Sequence, residues 1–171
     1  MISKQAFISH IRHSLEEMAF KDIIRASSGK SKMGAFILGS CFIEYLAGFR
    51  YGKETTTRDD YKNFVKEYLG NKYDAEKLYA DLRCKLVHNY SEGGSYQFID
   101  AHAHLHNAKL PNNKILLNLE NFIDDLKSAL DEYFTQLEKD DKLFQLAFQR
   151  YEKVGLIGIN KLQIKRKEKI I

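Results

Sequence analysis

The chain has 171 residues, 44% of them apolar, with two cysteines and a formal net charge of +4 from 27 Lys+Arg against 23 Asp+Glu. This is enough chain for one ordinary core, and it excludes wholesale disorder, a disulfide framework and a four-cysteine zinc site. The charge is local: Lys161, Lys165, Arg166, Lys167 and Lys169 against Glu168 account for all of it, which leaves the preceding 160 residues neutral and argues against a broadly basic nucleic-acid-binding body.

The N-terminal stretch MISKQAFISHIRHSLEEM is amphipathic and has no apolar h-region, so no secretory signal is expected. Phe7, Ile11, Leu15 and Met18 recur at helical spacing and predict a helix over 3–26, ended by Ser27-Ser28-Gly29-Lys30. A second helix over 31–51 is apolar nearly all round. Its Gly34, Gly39, Ser40 and Gly48 allow close backbone approach, so it belongs at the centre of a bundle. Its apolar run, Met33 to Phe49, is shorter than the ~20 residues of a membrane span and carries Glu44, so no membrane association is expected and a cytoplasmic location is the default.

A short helix follows over 59–69, with Thr57 or Asp59 as its cap. Asp74 caps a fourth helix, AEKLYADLRCKLVHNY, with the core stripe Leu78, Leu82 and Leu86; Ser91, Gly93 and Gly94 stop it after Tyr90. Over 95–118 the period changes to that of strands in SYQFI, AHAHLH and KILLNL, with a turn at Leu110-Pro111-Asn112-Asn113, so a β-hairpin is expected. Helices over 119–138 and 142–151 complete the chain, which has no other proline. The expected architecture is mostly α: one helical domain over 1–154 with an inserted hairpin, then a basic tail over 155–171 that forms an edge strand, an RNA-gripping arm or a swapped segment.

Chemistry concentrates in LRCKLVHNY, where Arg83 is followed at +5 by His88 and at +7 by Tyr90, at the end of a helix and before a glycine-containing break. On a regular helix Arg83 and Tyr90 fall within about 20° of one face while His88 is about 140° away. The three converge if the helix loosens near Val87 to Asn89, or if a second copy of the motif faces the first across a symmetric dimer.

An R-x4-H-x-Y motif ending a bundle helix, after a central helix rich in small residues, resembles the HEPN superfamily (higher eukaryote and prokaryote nucleotide-binding domains). The pattern is closest to toxins of HEPN/nucleotidyltransferase pairs. The resemblance covers about residues 2–90 and extends to the helix over 119–138. It implies an up-and-down helical bundle that dimerises to form a metal-independent ribonuclease site without a cofactor, in a toxin or phage-defence setting, with a separate antitoxin protein. It also implies that Arg83 and His88 are catalytic and that Tyr90 is a position the cognate nucleotidyltransferase can modify. The residue after the family arginine is often Asn, Asp or His; here it is Cys84.

The chemistry is coherent on its own terms. Cleaving RNA without a metal needs a base near neutral pKa for the 2′-hydroxyl proton, an acid for the leaving 5′-oxygen and a fixed cation on the phosphate. His88 suits the first two tasks, with its dimer mate supplying the second transfer, and Arg83 suits the third. Tyr90 is placed to bond phosphate or stack on a base, Asn89 stands between the two motif residues, and Glu44 is expected to pair with Arg83 and aim it. Lys165, Arg166, Lys167 and Lys169 are the expected RNA-binding tail. The competing reading is a non-catalytic nucleotide- or RNA-binding or dimerisation module, with Arg83 a surface ion-pair residue and His88 a helix C-terminal cap.

His102, His104 and His106 would share one face if AHAHLH were a strand, which is a zinc-like spacing, but only Asp100 is near enough in sequence to complete it. No metal is therefore expected, and a solvated face or an RNA-contacting surface are the other uses of that segment.

Overall fold

The structure, a computed structural model, describes residues 3–91 and 93–156. The tail residues Lys165, Arg166, Lys167 and Lys169 lie outside the described residues.

Helix α1 (Lys4–His13) starts at Ser3, whose hydroxyl accepts from the Ala6 N–H at 3.2 Å. It continues through a π-helical stretch, Ser14–Phe20, into α2 (Lys21–Ser28), so the expected first helix forms as one rod with a widened middle. Helix α3 (Lys32–Tyr51) packs against α2, α4 (Arg58–Phe64), α7 (Leu119–Lys139) and α8 (Asp141–Val154). Its central position follows from its sequence, since a helix without a polar face is covered on most sides. At 20 residues it is longer than its apolar run, and among the described residues it alone has the length and composition to cross a membrane; 56% of its most apolar window is buried within the fold.

Small residues on α3 decide what approaches it. A Cβ on Gly39 would lie 2.7 Å from Phe122 of α7, and one on Gly48 would lie 2.3 Å from the Arg150 guanidinium carbon of α8. Gly52 ends α3 in the left-handed conformation at φ 65°, the usual glycine stop. Thr57 and Asp60 then form a reciprocal capping box for α4, which runs into a π stretch, Val65–Leu69.

Asp74 caps the next helix by accepting from the Lys77 N–H. This helix comprises α5 (Ala75–Leu78), a π-helical stretch Tyr79–Leu86 and α6 (Val87–Asn89). Leu78, Leu82 and Leu86 are fully buried, as their spacing predicts, each contributing about 1.5–3 kcal/mol of side-chain burial that fixes the helix on the core.

The expected hairpin is not formed. Strands β1 (Tyr96–Ile99) and β2 (Ile115–Asn118) do form, but they pair in parallel, Tyr96 against Ile115 through Ile99 against Asn118. The turn at Leu110–Asn113 forms too, closed by Asn113 N–H to Leu110 O at 2.9 Å and Leu110 N–H to Lys114 O at 2.7 Å. Its antiparallel arm is only a bridge between Lys109 and Ile115. The physical cause lies in AHAHLH: His102 (φ 56°) and Asn107 (φ 63°) take left-handed conformations around a 3-10 turn at Ala103–Leu105. That reversal, followed by the one at 110–113, brings the chain back in its original direction. Beta2 runs directly into α7, whose cap is Asn118.

Candidate active site

Arg83 leaves the π-helical stretch beside α3 and meets Glu44 there. Its Nε donates to Glu44 Oε2 at 2.5 Å and its Nη2 to Oε1 at 3.2 Å, a two-point pairing of planar groups. Thr56 Oγ1 also donates to Glu44 Oε1, at 3.0 Å, so the carboxylate is held from the α3–α4 connection as well. The hydrogen bond and charge of Glu44 raise the Arg83 pKa above its ordinary value despite partial burial. The expected pairing of Glu44 with Arg83 is present.

The remaining Arg83 nitrogen, Nη1, lies 2.9 Å from His88 Nε2. A guanidinium has donors and no acceptor, so Nε2 accepts and the imidazole proton in this contact resides on Nδ1. His88 is exposed and Arg83 half-buried, so the pair opens to solvent.

The two residues converge within one chain, but not for either reason expected from sequence. The helix loosens earlier, over Tyr79–Leu86, where the ladder runs five residues back, as in Val87 N–H to Leu82 O. A ladder of that period turns less per residue than an α-helix, so two residues five apart lie closer to one face than the regular helix would set them.

Tyr90 and Asn89 are placed differently. Tyr90 is 68% exposed and ends the helix in the left-handed region at φ 50°, where its N–H still bonds Leu86 O at 3.0 Å. Asn89 is exposed. Among the described contacts neither side chain joins the Arg83–His88 pair. Cys84 is partly buried and hydrogen-bonds Tyr79.

The histidine segment has no shared face. His102 and His104 are exposed, with rings edge-on at 6.0 Å, while His106 turns into the fold. There the Asn118 N–H donates to His106 Nδ1 at 3.2 Å, leaving Nε2 to donate to Tyr73 Oη at 3.0 Å; Tyr73 in turn donates to Asp125 Oδ2 at 2.6 Å. Burial alone would raise the Asp125 pKa, but hydrogen bonds from Lys72 and Tyr73 and the nearby His106, its Nε2 3.6 Å away, hold it down at about 2. This cluster ties the inserted segment to α7. No group of three metal-ligating side chains is assembled among the described residues, so the three-histidine face expected of a strand is corrected: the strand that would create it is replaced by the 3-10 turn.

Two charged residues that support the site carry no sequence motif. Asp81, 1% exposed, accepts the Ser95 and Tyr96 N–H groups on Oδ2 at 2.7 and 2.8 Å, tying the segment after the motif back onto its helix. Arg150, 8% exposed, crosses Gly48 and donates through Nη1 to Lys53 O and Glu54 O. Buried charges of this kind show in sequence only as polar interruptions of an otherwise helical pattern.

Beside Glu44, the outer face of α3 presents Leu38, Cys41 and Tyr45, which with Ala19, Asp22 and Phe42 line a mainly apolar groove. Comparison with models of protein families, with curated proteins and with solved structures finds no match.

Proposed function

We propose that this protein is a metal-independent endoribonuclease of the HEPN type, acting on RNA as a homodimer in a toxin or defence setting. The observation that carries the reading is the chain of contacts from Thr56 through Glu44 and Arg83 to His88, ending at solvent. It supports the reading by bringing together a cation fixed in orientation, an unprotonated imidazole nitrogen hydrogen-bonded to that cation, and exposure to solvent.

In the proposed step, His88 Nε2 takes the 2′-hydroxyl proton as the 2′-oxygen attacks phosphorus. Arg83 moves its Nη1 donor from His88 to a phosphate oxygen, gaining a charge-assisted bond as negative charge develops there. The partner copy's histidine protonates the leaving 5′-oxygen. The products are a 2′,3′-cyclic phosphate and a 5′-hydroxyl. The apolar groove around Ala19, Leu38 and Phe42 is the surface proposed to be buried in the dimer, and Lys165, Arg166, Lys167 and Lys169 are proposed to add phosphate contacts. Tyr90, exposed at the helix end, is open to modification by a separate antitoxin protein.

A second reading, a non-catalytic RNA-binding or dimerisation module, is favoured by one observation: Arg83 already satisfies Nε, Nη1 and Nη2 within its own chain. Incubating EDTA-treated protein with RNA separates the two. Cleavage abolished by Arg83→Ala and by His88→Ala, with fold and oligomeric state retained, supports the enzyme; RNA binding without cleavage by the wild type supports the module.

A further inference from the structure

Beside Glu44 lies an open cavity of about 300 Å³ whose lining includes Cys41, Glu44, Tyr45, Glu54, Thr56 and Arg150. This is at the lower end of the range for small-molecule sites, about 300–1,000 Å³, and suits one nucleobase rather than a larger ligand. The cavity and the Arg83–His88 pair share Glu44, whose carboxylate binds Arg83 and also lines the cavity.

The cavity offers a rigid cation beside a carboxylate. Arg150 is held by two carbonyls through Nη1, by the Gly48 backbone beneath it and by the rings of Tyr45 and Phe49, whose centroids lie 5.7 and 5.4 Å from its guanidinium carbon. Among the described residues it has no carboxylate at ion-pair distance, although its charge is supported at longer range by Glu44 and Glu54. A buried cation without a direct counter-ion favours an acceptor from a ligand. Glu54 is exposed and, among the described residues, makes no ion pair, so a donor-bearing ligand held at Arg150 can meet its carboxylate without displacing a protein partner.

We propose that this cavity is a base subsite that selects guanine in the RNA strand, an inference that rests on the ribonuclease reading. Guanine presents O6 and N7 as acceptors for an arginine, and N1–H and the N2 amino group as two donors for a carboxylate, side by side on one base. Tyr45 adds an aromatic face for stacking. Adenine sets its N6 amino group against the guanidinium, donor against donor. Uracil has a single donor and a smaller stacking face, and cytosine meets Glu54 through one amino group instead of two positions.

Two measurements on the full chain test this independently. In calorimetric titrations with the 5′-monophosphates of guanosine, adenosine, cytidine and uridine, the wild type binds the guanosine nucleotide about tenfold more tightly than the others, and Glu54→Gln removes that margin. In parallel, sequencing of RNA ends formed by the wild type shows guanine at one fixed position beside the cut, and Glu54→Gln relaxes it. Equal binding of all four nucleotides, no binding, or a preference untouched by Glu54→Gln overturns the subsite whether or not RNA is cut. Selective guanosine nucleotide binding by a protein that cuts no RNA supports the subsite and overturns the ribonuclease reading alone.

Discussion

Arg83 and His88, five residues apart, meet at 2.9 Å because the helix that carries both is widened over Tyr79–Leu86. The contact has a definite proton arrangement. An arginine donates only, so His88 accepts on Nε2 and carries its proton on Nδ1. Nitrogen-detected NMR of the neutral imidazole is expected to report the Nδ1–H tautomer for His88 in the wild type and loss of that preference in Arg83→Ala. An Nε2–H tautomer in the wild type contradicts this geometry.

Glu44 aims Arg83 through two oxygens. Glu44→Gln replaces one acceptor with a donor and breaks the two-point pairing, so the guanidinium is free to swing. RNA cleavage is expected to fall roughly ten- to hundredfold, mainly in the rate at saturating RNA rather than in RNA affinity. Single-turnover cleavage and filter binding on the same variant check the split; an equal loss in both shows that Glu44 acts through binding.

Asp81 holds the segment after the motif. Asp81→Ala leaves the Ser95 and Tyr96 N–H groups without their acceptor and opens a gap beneath Gly93, where a Cβ would lie 1.8 Å from the Asp81 carboxyl carbon. We expect a loss of about 3 kcal/mol in chemical denaturation. Asp81→Asn keeps an acceptor oxygen and is expected to cost about 1 kcal/mol. Equal stability of Asp81→Ala and wild type contradicts the assigned contact.

Asp125 sets an acid limit on stability. Its pKa is held at about 2, below the ordinary 3.8, by His106, Lys72 and Tyr73. A depressed carboxyl favours the folded state above its unfolded pKa, and that advantage disappears as pH falls from about 4 through 2. Discounted for solvent screening at this half-buried site, the contribution at neutral pH is about 1 kcal/mol. Acid unfolding followed by circular dichroism is expected to show Asp125→Asn less stable than wild type at pH 7, with the difference vanishing near pH 2. A constant difference across that window contradicts the linkage.

Sequence reasoning succeeds where an apolar pattern or a lone charge carries the signal. The all-round apolar α3 declares itself central, Leu78, Leu82 and Leu86 declare a buried stripe, and the lone Glu44 on α3 points to a cationic partner. Arg83 and His88 are visible as a spacing, yet the place where their helix loosens is not, because π turns leave the apolar pattern nearly unchanged. Short apolar runs mark β1 and β2 but are silent on their relative direction, which left-handed His102 and Asn107 decide. Asp81 and Arg150 are illegible because their burial depends on partners far along the chain: Ser95 and Tyr96 for one, the backbone of Lys53 and Glu54 for the other.

The most direct test of the ribonuclease proposal is the chemistry of the RNA ends. Wild-type protein in EDTA, incubated with RNA and analysed by mass spectrometry, is expected to give 2′,3′-cyclic phosphate and 5′-hydroxyl ends that are lost in His88→Ala. Ends bearing 3′-hydroxyl and 5′-phosphate, or cleavage that persists unchanged in His88→Ala, contradict the account.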